Sequence, residues 1–463
     1  MNRDSEIKGI VQIIHGMAEY SERYIEFADF LKSKGYIVVL SDHYAHGKKA
    51  YNENKLGVFE KSFDTLIVDQ LEISKNMRKL YPKINITILG HSMGSFIAQE
   101  HMRRFKDENT SYIFMGSCYQ RRAITWLGKI LFKIFLRVGN IPKSFYNLIL
   151  FLGVNSRIKD RNKSKFSWLS RDEEVVKKFQ EDRYCGFIYS TNFYSMFLDF
   201  IFSLNKQGNF AGVDKRKEIL IISGDSDPIG NYGLGVKKLY NYFLNEGFKD
   251  IELKLYRGAR HEILNELNKK EVYQDILKWL EDKRRRKDMK RYKLKTEEEL
   301  IIREAVPEEA EEFLEYVNQC GKETDFLGFG KEGIGLSIEE EKNEFKNFTS
   351  KNFMLVAIVD GKIVGSCSLR TRESRVRLQH RGTIGITILK EYWGRGIGRY
   401  LFEVLIERAK NSGMKKLELE VRTDNERAIA LYKKMGFEIE GQIKSAVYID
   451  GEYFDNFIMG NLI

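Results

Sequence analysis

Two hydrophobic patterns divide the chain. Up to about residue 282, short apolar runs rich in Ile, Leu and Val alternate with stretches whose apolar positions recur every three or four residues. The runs at 10–14, 36–40, 84–89, 219–222 and 251–255 predict strands, most of them buried. The stretch carrying Phe27, Phe30 and Leu31 predicts an amphipathic helix, as do 66–80 and 272–280. Strands alternating with helices predict a parallel α/β sheet. From about residue 296 the order changes. A strand at 300–303 precedes helices at 307–320 and 338–348. Strands at 353–359 and 363–370 follow, joined by Asp360-Gly361, a dipeptide suited to a tight hairpin. A strand at 383–389, a helix reaching 409, a strand at 417–421 and a helix opening at Asn425 complete the pattern, which predicts a separate α+β domain. Between the two, residues 283–295 hold nine Lys or Arg against the one acid Asp288, and predict a helix tail passing into a basic linker.

Chemistry gathers in the loops. The run at 84–89 leads into Gly90-His91-Ser92-Met93-Gly94 and then into a helical pattern. Strand, tight turn and helix is the setting in which G-x-S-x-G exposes a nucleophilic serine at the apex of a strained turn. The helix starting behind Ser92 would aim free backbone N–H groups at an oxyanion. A serine nucleophile needs a base, and the base an orienting acid. Of the seven histidines, His15, His43, His46 and His91 precede the serine, His101 lies on the following helix, and His380 belongs to the second pattern. Only His261 sits in a loop after a late strand. Asp227 lies in the loop after the preceding strand, and its Asp-Pro step favours it over Asp225 as the acid.

These residues resemble the α/β-hydrolase superfamily, and more narrowly its lysophospholipase and monoacylglycerol lipase-like serine hydrolases. The match rests on five segments: 15–19, 42–47, 90–94, 224–228 and 260–262. The resemblance implies an oxyanion hole built from the backbone N–H groups of Met17 and Met93, with Ser92 attacking an acyl ester, His261 as base and Asp227 orienting it. It differs in two respects. The family usually has an antiparallel strand pair before the oxyanion strand, so either the sheet edge is trimmed or the start is truncated. Tyr44 and Ala45 stand where the family often has Arg or Gly. An insertion at about 117–208 corresponds to the family's helical cap. Within it, 121–165 carries eleven Lys or Arg against one acid, Asp160. Trp126, Leu127, Ile130, Leu131, Ile134, Phe135 and Leu136 interleave with Lys129, Lys133 and Arg137. Lys143 follows, ahead of a second apolar group of Phe145, Tyr146, Leu148, Ile149, Leu150 and Phe151. Such a cap is either packed on the core in the ordinary way or lies on an anionic membrane surface.

Composition narrows the classes. The four cysteines are scattered without a C-x-x-C, which suits a reducing cytoplasm and gives no structural metal site. No run of 18 apolar residues appears, and the first residues lack signal-peptide architecture. A net charge of +11 permits nucleic-acid binding, but no helix-turn-helix, RNP or finger pattern accompanies it, so none is expected.

In the second pattern, Gly394-Arg395-Gly396-Ile397-Gly398 opens a helix, a turn suited to cradling a pyrophosphate. It is neither a dinucleotide fingerprint nor a Walker loop. With Asn425 through Tyr432 and Gly436-Phe437, it resembles the GNAT acetyltransferases over about 298–463. The resemblance implies acetyl-CoA as co-substrate, held by Ile388, Arg395, Gly396, Ile397, Gly398 and Asn425, with Tyr432 protonating the departing thiolate. Trp393 replaces a residue that often contacts phosphate. The general base stays open, Glu418 and Glu420 sharing one strand face. The acceptor amine is expected near 326–335 and 448–455. The chain is thus expected to be a bifunctional serine hydrolase and N-acetyltransferase. The alternatives are a peptidase or thioesterase in the first half, or one domain serving as a non-catalytic scaffold.

Overall fold

The computed structural model describes residues 7–463 except 120–125, 127, 129, 131–132, 135–136, 138–141, 143, 146–147, 149–153, 159–163, 205 and 372–374, and of 285–288 only the backbone. Leu127, Lys129, Leu131, Phe135, Leu136, Lys143, Tyr146, Ile149, Leu150 and Phe151 of the expected cap lie outside the described residues. The chain forms two compact units, one over 7–281 and one over 282–463.

The first unit is a six-stranded sheet in the order β2-β1-β3-β4-β5-β6, parallel throughout. Its strands are β1 (Gly9–Ile14), β2 (Tyr36–Leu40), β3 (Ile86–His91), β4 (Thr110–Met115), β5 (Ile219–Gly224) and β6 (Ile251–Tyr256). Its helices are α1 (Ile25–Ser33), α2 (Gly47–Asn52), α3 (Asp64–Leu80), α4 (Met93–Arg104), α5 (Glu173–Glu181), α6 (Thr191–Leu204), α7 (Leu234–Asn245) and α8 (Lys269–Asp288). Alternate residues of the buried strands face opposite layers: Ile10 and Ile14 pack with α3 and α4, Val11 and Ile13 with α1 and α8. Strand β4 is absent from the sequence reading, because Thr110 and Ser111 put a polar head on its apolar run although both are buried.

The second unit is an eight-stranded sheet in the order β13-β14-β12-β11-β10-β9-β8-β7. The strands are β7 (Lys290–Lys293), β8 (Glu299–Glu304), β9 (Phe353–Val359), β10 (Lys362–Thr371), β11 (Arg381–Ile388), β12 (Lys416–Arg422), β13 (Glu438–Ile449) and β14 (Glu452–Leu462). Helices α9 (Ala310–Glu323), α10 (Ile338–Lys346), α11 (Ile397–Asn411) and α12 (Glu426–Lys434) flank it. Residues 290–293, expected within the linker, instead form the edge strand β7, paired antiparallel with β8. Asp360 and Gly361 turn with φ of 50° and 78°, as the hairpin reading requires. One pairing differs from the rest. Strands β11 and β12 run parallel and bond only over Arg381–Thr383 against Lys416–Glu418, then part. That divergence opens a cleft at the C-terminal end of β11. Among the described residues, no helix is long and apolar enough to cross a membrane.

Candidate active sites

Strand β3 delivers Ser92 to the start of α4 with φ 54° and ψ −119°, the strained turn expected of G-x-S-x-G. Two glycines make this possible. A Cβ on Gly90 would lie 2.3 Å from the carbonyl oxygen of Gly94, and one on Gly94 only 2.1 Å from that of Ile14. The backbone N–H groups of Met17 and Met93 find no partner among the described residues, and both residues line the same cavity as Ser92.

Of the two rival acids, only Asp227 reaches the histidine. Its Oδ2 lies 2.9 Å from His261 Nδ1, and its Oδ1 accepts from Ile229 N at 2.8 Å. Asp225 instead accepts from Gly258 N at 2.7 Å and from Ser226 Oγ, so it staples two loops. The Nε2 of His261 is buried without a hydrogen-bond partner among the described residues. His261 and Ser92 line one cavity of about 890 Å³ beneath the cap, without a direct hydrogen bond between them. Nucleophile–base bonds are commonly loose before substrate binds. Phe166, Trp168, Phe187, Phe197, Leu198 and Ile201 give the cavity an apolar wall.

An ionic network ties the loop at 15–19 to the loop at 260–262, and the sequence reading assigned it no role. Arg23 reaches Glu19 Oε2 and both oxygens of Glu262 at 2.6 Å. Glu19 Oε1 accepts from Gly16 N at 2.5 Å and Tyr24 hydroxyl at 2.7 Å, and lies 3.1 Å from His91 Nδ1. Glu19 follows Met17 in its loop and Glu262 follows His261, so one guanidinium ties two loops that line the cavity. Burial pushes the Glu19 carboxyl up, but the His91 hydrogen bond and the Arg23 charge outweigh it and leave it well below the usual range. Burial lowers His91, and Glu19 more than restores it, so His91 ends above its ordinary value. The signal was available in sequence: an acid stands beside each loop motif, and Arg23 lies one helical turn after Glu19. A second group, His15, His43 and His46, has ring centroids 4.1–5.5 Å apart. Burial lowers all three, His43 to about 4 and His46 to about 3. Among the described residues no group of His, Cys, Asp and Glu is placed to hold a metal ion.

In the second unit, the cleft between β11 and β12 belongs to a cavity of about 930 Å³. Gly394 and Gly396 take φ of 80° and 92°, which brings the chain from β11 into α11. The amides of Ile397 and Gly398 have no partner among the described residues, and both residues line the cavity with Ile388 and Asn425. Asn425 also caps α12 by accepting from Ala428 N at 3.1 Å. The Arg395 side chain pairs with Glu298 at 3.1 Å and stacks on Tyr392, and Arg395 is not among the residues that line the cavity. Arg399, Arg427 and Lys434 line the cavity instead. Trp393 donates to Ile388 O at 2.7 Å and carries Arg427 on its ring at 4.6 Å. Tyr432 lines the cavity, buried against Phe402, and burial pushes its hydroxyl up. Glu418 is taken up by Arg381 and Lys416. Of the two expected acceptor segments, Phe326 and Phe329 line the cavity, whereas 448–455 forms the tip of the β13–β14 hairpin and does not.

Comparison with known proteins agrees with this division. A family model described as serine aminopeptidase, S33, matches residues 5–268, and one described as the acetyltransferase (GNAT) family matches 325–437. The chain is 24% identical over 283 residues to a monoacylglycerol lipase of Mycolicibacterium smegmatis, covering 60% of this chain and 89% of that one. It is 37% identical over 109 residues to the L-amino acid N-acetyltransferase AaaT of Escherichia coli, covering 23% of this chain and 67% of that one. Among solved structures it is similar to a thermostable carboxyl esterase from Bacillus coagulans, at 27% identity and a TM-score of 0.55, covering 60% of this chain and 90% of that one.

Proposed function

Because the chain belongs to the serine aminopeptidase S33 family through residues 5–268 and carries a GNAT acetyltransferase domain, we propose that it is a two-site enzyme. The first site hydrolyses acyl esters. Ser92 is the nucleophile, His261 takes its proton at Nε2, and Asp227 holds the Nδ1 tautomer in place. The amides of Met17 and Met93 receive the oxyanion. The observation that carries this reading is His261, whose Nδ1 is held by Asp227 and whose Nε2 has no hydrogen-bond partner among the described residues, in a cavity that Ser92 also lines. A peptidase of free N-termini would need a carboxylate for the ammonium. The two that line the cavity among the described residues, Glu19 and Glu262, are both engaged by Arg23, and the apolar walls suit an acyl chain. A panel of monoacylglycerols and short acyl esters against aminoacyl anilides tests this. Ester turnover supports the reading, and anilide turnover alone would replace it with the peptidase.

The second site transfers an acetyl group from acetyl-CoA to an amine. The amides of Ile397 and Gly398 at the head of α11 would hold the pyrophosphate, with Arg399, Arg427 and Lys434 around it. The edges freed where β11 and β12 part would accept the rest of the cofactor. Tyr432, kept protonated by burial, is suited to protonate the leaving thiolate. Titration of the full chain with acetyl-CoA in a calorimeter tests this site.

A cytoplasmic enzyme that meets anionic lipid through its cap is part of the proposal. Trp126, Ile134 and Leu148 are exposed there beside Lys133 and Arg137. Salt-sensitive co-sedimentation with anionic but not zwitterionic vesicles would support it, and salt-independent partitioning would remove it.

A further inference from the structure

Helix α10 begins at Ser337, whose hydroxyl and Glu340 form a reciprocal cap, and carries three consecutive acids. Successive helical residues point about 100° apart, so the three cannot share one environment. Glu339 and Glu340 face solvent, whereas Glu341 is 2% exposed and lines the acetyltransferase cavity. Among the described residues, three carboxylates line that cavity. Glu344 is paired with Arg370, and Glu420 accepts from Asn456 Nδ2 at 3.3 Å. Glu341 alone of the three has no hydrogen-bond or ion-pair partner among the described residues. The same cavity has an apolar wall built by Phe313, Val317, Leu327, Phe329, Ile334 and Met354, and the charged groups that act on Glu341 are the paired Glu344 and Arg370. A buried carboxylate without a partner is costly in an apolar setting, and a fold keeps one where a ligand completes it.

The geometry points to Glu341 as the group that receives the acceptor's ammonium and takes its proton, and to a primary amine on an apolar body as the acceptor. This rests on the acetyltransferase reading of the second site. The ammonium pairs with Glu341 while the apolar body lies against the aromatic wall. One N–H proton passes to the carboxylate, leaving a neutral amine. Its nitrogen attacks the acetyl carbonyl carbon, the N–C bond forms, and the C–S bond breaks with its electron pair going to sulfur. The thiolate takes the Tyr432 proton. A second N–H proton of the acceptor balances that transfer, the third stays in the amide, and Glu341 returns its proton to solvent. Burial and the neighbouring Glu344 raise the Glu341 carboxyl to about 7 against the pull of Arg370, which suits proton exchange near neutral pH.

The test uses the full chain, as wild type and as Glu341→Gln and Glu341→Asp. Acetyl-CoA affinity is read by calorimetry, and CoA release is followed with phenethylamine and isoamylamine, against spermidine and glucosamine. The expected result is turnover of the two apolar amines. Glu341→Gln should lower kcat about 100-fold or more, with acetyl-CoA affinity within twofold. Glu341→Asp should keep part of the rate, and Glu341→Gln should melt no lower than wild type, since it removes an unpaired buried acid. A kcat within threefold of wild type in Glu341→Gln would overturn the base. So would a lower melting temperature with the rate fully restored by Glu341→Asp, because the acid would then be serving the fold. Acetyl-CoA binding with turnover of neither apolar amine, or preference for spermidine or glucosamine, would overturn the acceptor class. Absence of acetyl-CoA binding in the wild type would instead sink the acetyltransferase reading.

Discussion

Arg23 stands between the buried Glu19 and Glu262 and joins the loop of Met17 to the loop of His261. A guanidinium suits this place because its planar fork meets two carboxylates at once. Arg23→Met would leave two buried carboxylates short of their cation, a change of about 3–5 kcal/mol when one partner of a buried pair is lost. Urea unfolding should show that loss together with reduced ester turnover, and an unchanged midpoint would contradict the network's role. The histidines make a second prediction. His15, His43 and His46 are held neutral by burial, with His43 at about 4 and His46 at about 3 against an ordinary 6.5. Between those values the unfolded chain binds the extra protons, so stability falls as pH drops below about 6.5 and continues to fall towards about 3. The first unit's melting temperature should therefore decline from pH 7 to pH 5. At this scale the sequence singled out Ser92 by its turn, His261 by elimination among seven histidines and Asp227 by its Asp-Pro step, and the structure puts Asp227 against His261. The sequence could not single out Glu341, which differs from Glu339 and Glu340 only in the direction its helix turns it.

Among the elements, the elbow is the tightest junction. Its close approach depends on Gly94, where a Cβ would meet the Ile14 carbonyl at 2.1 Å, a backbone atom that cannot swing aside. Gly94→Ala should force β1 and α4 apart, lowering the melting temperature by several degrees and abolishing ester turnover. Full activity in that variant would mean the junction is looser than described. Five of the six strands of the parallel sheet were legible from their apolar runs, since both faces of such a sheet are covered, and β4 with its polar head was not. Strand β7 was not, because an edge strand written Lys-Arg-Tyr-Lys has the composition of a linker and also of a protected edge. Strands β13 and β14 escaped for a related reason. Residues of β13 are mostly exposed on both faces, so no alternation marks them, although Asp450-Gly451 repeats the turn chemistry of Asp360-Gly361.

At the scale of the whole molecule, the chain carries two compact units, each with its own core and cavity. The boundary near 282 lies ahead of β7, so a fragment of 282–463 should fold and bind acetyl-CoA. A fragment starting at 296 lacks the edge strand and should melt lower; equal stability of the two would show β7 to be dispensable. The most direct test of the account is intact-mass analysis of the full chain after treatment with a fluorophosphonate probe. Wild type should gain the mass of one probe, and Ser92→Ala should gain none. Equal labelling of the two proteins would contradict the assignment of Ser92, and with it the first of the two sites.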